Sequence, residues 1–425
     1  MGRSVGPRVG QLGRMRKPAY SQQLVCATLF HEGAMSRAGL NERTGVPASR
    51  LSSACGELLR NGLIRETTVA PAHGNGRGRP QTLLEVDLRG LAIAGAQYDH
   101  EHITAAVVDL AGVVRWQRRW DTGPDEPANR RLQRIVLATR EAIASGPKAM
   151  ARVVGVGIAD PGTVNLAAGR AVRAVNVPGW ENVPVLDAVR HATGLPAVLH
   201  RGDGWAALGE VVFGAGRGAR NALYVTLLEG IGGGIVEQGR LLGGRDGSAG
   251  EIGHTRVSDD GPVCGCGGRG CLEAHLAPAR LAALWRGMSA EQAQRVTRRG
   301  EAPDDAFSQM LLAARRGDAK AKHVLHDAAI ALARGLGNAV SLLNPERIIL
   351  GGRFVASGDM LLDTLRRALD RYTLGEFARG IEIRAAELGA DASFCGMAAY
   401  VRDRLFAYPS VGATIDAPTA LTEVA

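Results

Sequence analysis

Four side chains between residues 254 and 271 have the types and spacing to hold a metal ion. His254 is followed by Cys264, Cys266 and Cys271, with Gly265, Gly267, Gly268 and Gly270 interleaved. One imidazole and three thiolates suit a closed tetrahedral zinc site. The glycines let the backbone turn tightly enough for closely spaced sulfurs to converge. The alternative, three free thiols in a glycine-rich loop, leaves unexplained why soft ligands gather beside an imidazole. The other cysteines, Cys26, Cys55 and Cys395, are scattered and read as small buried hydrophobes. Such usage points to a reducing compartment.

A second chemistry lies near the N-terminus. Residues 1–80 hold twelve Lys/Arg against four Asp/Glu, a balance of +8 in a chain whose formal charge is +9. A basic first domain on a nearly neutral body predicts a polyanionic partner for that domain alone. The exposed phase of Ser49, Arg50 and Ser52 on one helix, with Arg37, Arg77 and Arg79 nearby, nominates these residues as contacts to double-stranded DNA.

The elements that must position these residues follow from periodicity. Residues 1–18 form a basic flexible arm. A first helix starts near Ser21, Ser36 caps a short second helix, and a third runs from about Ala48 to Arg60 with Leu51, Cys55 and Leu58 inward. Strands at Ile64–Val69 and Thr82–Val86 flank a flexible basic loop. Together, residues 19–87 read as a winged helix-turn-helix. From Leu91 strands alternate with helices, the pattern of an α/β domain with a mixed sheet, expected over 90–405. Residues 406–425 read as a flexible tail. No signal-peptide core or membrane-spanning run is present in the sequence, so a cytoplasmic location is expected.

Glu251-Ile-Gly-His254, followed by Cys264-Gly-Cys266-Gly-Gly-Arg-Gly-Cys271-Leu-Glu273, resembles the signature of the ROK family of bacterial sugar kinases and sugar-responsive repressors. The resemblance implies a two-lobed actin/hexokinase-like domain. It also implies Glu251, His254 and Glu273 as sugar contacts, and Gly162, Asn176 and Trp180 as parts of loops closing over the sugar, Trp180 being equally a candidate core residue. Ser36-Arg37, Gly62-Leu63 and Gly78-Arg79-Pro80 sit where ROK repressors carry similar residues, and the kinase branch lacks this domain.

The kinase machinery is degraded. The first phosphate turn, Asp-x-Gly-Gly-Thr in kinases, aligns with Gln97-Tyr98-Asp99-His100-Glu101, which sets acids where triphosphate would lie. The second, Leu228 to Gly234, keeps its glycines but not its Gly-Thr entry. Counting back from Leu208-Gly209-Glu210, the catalytic Asn-Asp pair is Arg201-Gly202, and Asp203 is one residue late. Arg201 has two readings. Pointing inward, it would pair with a phosphate or carboxylate on the effector; turned to solvent, it would leave the site idle. The expectation is a zinc-containing, DNA-binding transcriptional regulator of carbohydrate metabolism, a repressor without kinase activity. It would answer to a sugar or sugar-phosphate effector and act as a homodimer or homotetramer on a two-fold operator. The alternatives are an active sugar kinase with an appended DNA-binding domain and a DNA-binding regulator with a vestigial pocket.

Overall fold

The computed structural model describes residues 20–69, 81–123, 126–146, 151–175, 177–228, 230–299, 305–354 and 359–409. Its backbone contacts fall into two compact units. Among the described residues, one comprises 20–90 with 403–409 and the other 91–402.

The first unit opens with α1 (Tyr20–Glu32), α2 (Arg37–Thr44) and α3 (Ala48–Arg60). Ser36 caps α2 by accepting the Gly39 N–H at 3.1 Å, and Gly45, at φ 66°, ends it in the left-handed conformation. Helix α3 buries Leu51, Ala54, Cys55 and Leu58 on one face. These meet Val25, Leu29 and Leu40 in a small aliphatic core. The strands β1 (Ile64–Val69) and β2 (Gln81–Val86) pair antiparallel, Ile64 opposite Val86, and seal that core with Ile64 and Leu84. Arg77 and Arg79, expected in the loop between them, lie outside the described residues.

One expectation is corrected here. The flexible tail was to start at residue 406, yet Phe406 is only 1% exposed and stacks on Phe30, ring centroids 5.3 Å apart. Tyr408 stacks on His31 and donates its hydroxyl to Glu32 at 3.2 Å. An aromatic side chain finding an apolar face orders a segment that has no periodicity of its own.

The second unit contains two five-stranded sheets. The first lobe runs β3 (Leu91–Tyr98), β4 (His102–Asp109), β5 (Val114–Asp121), α4 (Ala128–Ser145), β6 (Arg152–Asp160), three short strands β7 (Thr163–Asn165), β8 (Arg170–Arg173) and β9 (Glu181–Val183), then α5 (Val185–Thr193), β10 (Ala197–Arg201) and α6 (Gly202–Phe213). The second runs β11 (Ala222–Leu227), β12 (Ile231–Glu237), β13 (Arg240–Leu241), α7 (Leu272–Leu276), α8 (Pro278–Trp285), α9 (Ala290–Arg299), α10 (Ala306–Arg315), α11 (Ala319–Leu343), β14 (Arg347–Gly352), α12 (Asp359–Leu369), α13 (Gly375–Ala378) and β15 (Glu382–Ala385), closing with α14 (Ala392–Leu405). The strand orders are β10-β6-β3-β4-β5 and β15-β14-β11-β12-β13. In each, an antiparallel meander of three strands is extended by two parallel strands beside its first. The lobes thus repeat one topology.

Strand β3 is buried along its length apart from half-buried Gln97, and Leu91 to Ala96 is wholly apolar, as suits a strand covered on both faces. Helix α14 lies so close to the first sheet that a Cβ at Gly95 would stand 2.6 Å from Phe394, and one at Gly157 2.6 Å from the Met397 sulfur. It crosses α6 equally tightly: a Cβ at Gly209 would meet the Ala392 carbonyl at 2.1 Å. Ser393 also donates to the Gly202 carbonyl at 3.1 Å. The start of α6, where β10 delivers its last residue, is therefore rigidly seated.

Candidate metal centre

The strands β6 and β10 end side by side, Asp160 opposite Arg201. Carboxyl ends of parallel strands are where α/β sheets gather ligand-binding groups. The Arg201 side chain is 6% exposed, so the solvent-turned reading is overturned. Its Nη1 donates to the Ala249 carbonyl at 2.9 Å, and its Nη2 lies 3.1 Å from Glu251 Oε1 and 3.6 Å from Asp203 Oδ2. Asp203 in turn accepts the Thr226 hydroxyl at 2.6 Å. Its carboxylate fits because β12 passes with Gly232, where a Cβ would stand 1.8 Å away.

Asp160 was missed by sequence reasoning. It accepts hydrogen bonds from the Tyr98 hydroxyl, from Trp180 Nε1 at 3.1 Å and from the Gly162 N–H at 2.8 Å. Burial pushes its carboxyl above the usual carboxylate range, against the pull of those donors. One signal was available: an acid closing the otherwise apolar run Val153 to Ala159. Trp180 is fully buried against Tyr98 and belongs to the core. Gly162 passes the Arg173 backbone so closely that a Cβ would meet its carbonyl at 2.1 Å. Asn176 lies outside the described residues.

The His/Cys set does converge. His254 ends a single 3-10 turn, Ile252–His254. The loop after it folds back through bridges between Arg256 and Cys271 and between Val263 and Arg269. Gly270, at φ 74°, makes that return possible: any side chain would strike the Ser258 carbonyl. One ligand atom from each of His254, Cys264, Cys266 and Cys271 lies within 4.8 Å of the others. The Cys266 and Cys271 sulfurs are 3.8 Å apart, and Cys264 Sγ is 3.7 Å from His254 Nδ1. A tetrahedron of thiolates about 2.3 Å from a central ion has edges of about 3.8 Å, so the spacing suits a metal. The Gly268 N–H draws the Cys266 thiol below its ordinary range, while burial pushes Cys264 up to about 12. A metal cation bound there would take the proton's place on sulfur and release it to solvent, since a coordinating thiol is deprotonated.

The remaining nominees divide. His254 Nε2 faces Glu251 Oε2 at 3.8 Å, so this imidazole presents one nitrogen to the sulfurs and the other to the Arg201–Glu251 pair. Glu273 is occupied within the protein: Oε2 accepts the Ile231 N–H at 3.0 Å, and Oε1 sits 3.6 Å from the Cys264 sulfur. It braces the second glycine turn against the cysteine loop. The first phosphate turn is closed on itself. The Asp99 carboxylate accepts the N–H groups of both Glu101 and His102 at 2.7 Å, donors that an anion would otherwise take. Buried Arg131 pins the turn by donating to the carbonyls of Asp99, His100 and Gly123. In the second turn, the Leu228 N–H is used by the Gly230 carbonyl.

In the first unit Ser49, Arg50 and Ser52 are all exposed along the N-terminal half of α3. Arg37 is exposed too, at 3.2 Å from Glu66. Among the described residues no helix is long and apolar enough to cross a membrane.

The chain is similar to several known proteins. A xylose repressor of Caldicellulosiruptor bescii is 24% identical over 387 residues, covering 91% of this chain and 96% of that protein. A glucokinase of Thermotoga maritima is 36% identical over 252 residues, covering 59% of this chain and 80% of the relative. The solved structure of a ROK family transcriptional regulator, a homologue of the E. coli MLC protein, superimposes with a TM-score of 0.75 at 24% identity over 91% of this chain and 96% of that one. The ROK family model itself matches residues 94–404. This chain therefore belongs to the ROK family.

Proposed function

We propose that this protein is a sugar-responsive transcriptional repressor, cytoplasmic and without kinase activity. The observation that carries the reading is the reach of the repressor alignment. It spans 91% of the chain and so takes in most of the first unit, whereas glucokinase alignments span 59% and 74%. In this reading the first unit is a winged helix-turn-helix. Helix α3 enters the major groove through Ser49, Arg50 and Ser52, while Arg37, Arg77 and Arg79 hold phosphates or the minor groove. Residues 90–405 bind the effector, with Gly162, Asn176, Arg201, Glu251, His254 and Glu273 around it. Zinc, held by His254, Cys264, Cys266 and Cys271, fixes the loop and supplies no chemistry to a bound sugar beyond orienting the imidazole. A homodimer or homotetramer matches a two-fold operator.

The absence of catalysis rests on three features. No carboxylate occupies position 202, Arg201 spends its guanidinium on Glu251 and Asp203, and Asp99 already occupies the N–H groups of the first phosphate turn. A general base must reach the hydroxyl it deprotonates, and a phosphate cradle must have free donors.

Selection of bound duplexes from a random library, followed by binding assays at fixed salt, tests the DNA reading. A two-fold symmetric site should emerge, and Arg50→Ala should weaken it by about 1–3 kcal/mol. An ATP-coupled assay against an aldose panel tests the rest, since measurable turnover would restore the kinase alternative. Calorimetry on the same panel separates a live effector site from a vestigial one.

A further inference from the structure

An unbroken chain of side chains links the end of β10 to the cysteine loop. Arg201 Nη2 meets Glu251 Oε1 at 3.1 Å; Glu251 Oε2 faces His254 Nε2 at 3.8 Å; His254 Nδ1 faces Cys264 Sγ at 3.7 Å. Each contact uses a different atom of its residue, so each residue is held from two sides. The guanidinium is itself fixed: it is 6% exposed, bonded to the Ala249 carbonyl, and steadied by Asp203, which Thr226 holds. Among the described residues, the Glu251 carboxylate, carried on the short turn Gly250 to His254, is paired with Arg201 on one side and His254 on the other.

We propose that Arg201 is a positioning residue for the metal centre. It clamps one oxygen of Glu251 so that the other stays aimed at the imidazole of His254, and the imidazole keeps its Nδ1 aimed at the sulfurs. The inference rests on the zinc reading above. A carboxylate behind a metal-bound histidine orients the ring and raises its basicity, and loss of such outer partners typically lowers metal affinity about 10–100-fold. Without the guanidinium, Glu251 would retain no fixed cation and would swing toward water, away from His254. The residue that stands where a kinase keeps its catalytic asparagine would thus serve metal retention, and any ligand drawing Glu251 away from Arg201 would alter that retention by linkage.

The test is zinc transfer from the purified full-length protein to a chromophoric chelator. Metal analysis of the unmodified chain comes first: zinc near zero there would overturn the zinc reading and this inference with it. With zinc present, Arg201→Met should release it about 10-fold faster or more, and Arg201→Lys, which keeps the charge, should recover part of the difference. To separate loss of the clamp from unfolding of the loop, Glu251→Gln and the double variant are measured alongside. If Arg201 acts through Glu251, the double variant releases zinc no faster than the faster single one. Release unchanged in Arg201→Met, or additive effects in the double variant, would overturn the inference while leaving the zinc site standing.

Discussion

At the scale of single residues, the cysteine loop makes the sharpest demand. Cys266 is exposed and Cys264 and Cys271 are buried, so the sulfurs close over a point just beneath the surface. Cys266→Ser removes one soft ligand with little loss of volume. We expect the zinc content to fall from about one per chain toward zero, and the melting transition of the second unit to drop while the first unit stays folded. Elemental analysis with calorimetry checks both, and a protein that retains its full zinc with serine at 266 would rule out that sulfur as a ligand. This centre was legible in sequence because its ligands are local: a short glycine-rich loop must bring its own sulfurs together. The direction of Arg201 was not legible, because whether an arginine turns in or out depends on what another lobe offers it. Here the offers are Ala249 and Glu251, both far along the chain. Two of the three partners of Asp160, Tyr98 and Trp180, come from β3 and from the loop before β9, and only the Gly162 N–H is local, so no short window of sequence contained the set.

At the scale of elements, the reading from periodicity was strongest where one face is buried. Helix α3 was expected over about Ala48 to Arg60 and is found there, with Leu51, Cys55 and Leu58 turned in. Three short strands, β7, β8 and β9, were not foreseen. Each is too brief to show alternation, and their pairing is closed by tertiary contacts such as the Arg170 bonds to Asn182. The segment after α14 is the larger surprise. Phe406 fills a gap against Phe30, and removing a buried aromatic ring costs the lost burial plus the cavity left behind. Phe406→Ala should therefore destabilise the first unit by about 3 kcal/mol. Hydrogen exchange resolves the effect by location: protection should fall in α1, α2 and α3 and hold in β3, β6 and β11. Equal protection of α1 in both proteins would mean that Phe406 does not support the unit.

At the scale of the whole molecule, charge and topology divide the work. The second unit repeats one five-stranded arrangement twice, and the carboxyl end of β10 brings Arg201 against Glu251 within it. The excess positive charge lies almost wholly in residues 1–80. Phosphate neutralisation releases counterions, so the logarithm of affinity falls with the logarithm of salt at a slope of about −0.9 per phosphate contacted. Three phosphate contacts per chain, Arg37, Arg77 and Arg79, predict a loss of about fortyfold between about 50 and 200 mM salt, for specific and random duplexes alike. Replacing Arg77 and Arg79 with Ala should flatten the slope by about two and weaken both kinds of duplex together, whereas a base-reading Arg50 should affect the specific duplex most. If the second unit binds its effector beside the internally paired Arg201, as proposed, no such counterion release accompanies it, and that affinity should change little over the same range. Titrations of DNA and of a sugar across one salt series separate the two units. A DNA affinity flat in salt would remove the basic surface from the recognition mechanism and leave its charge without a partner.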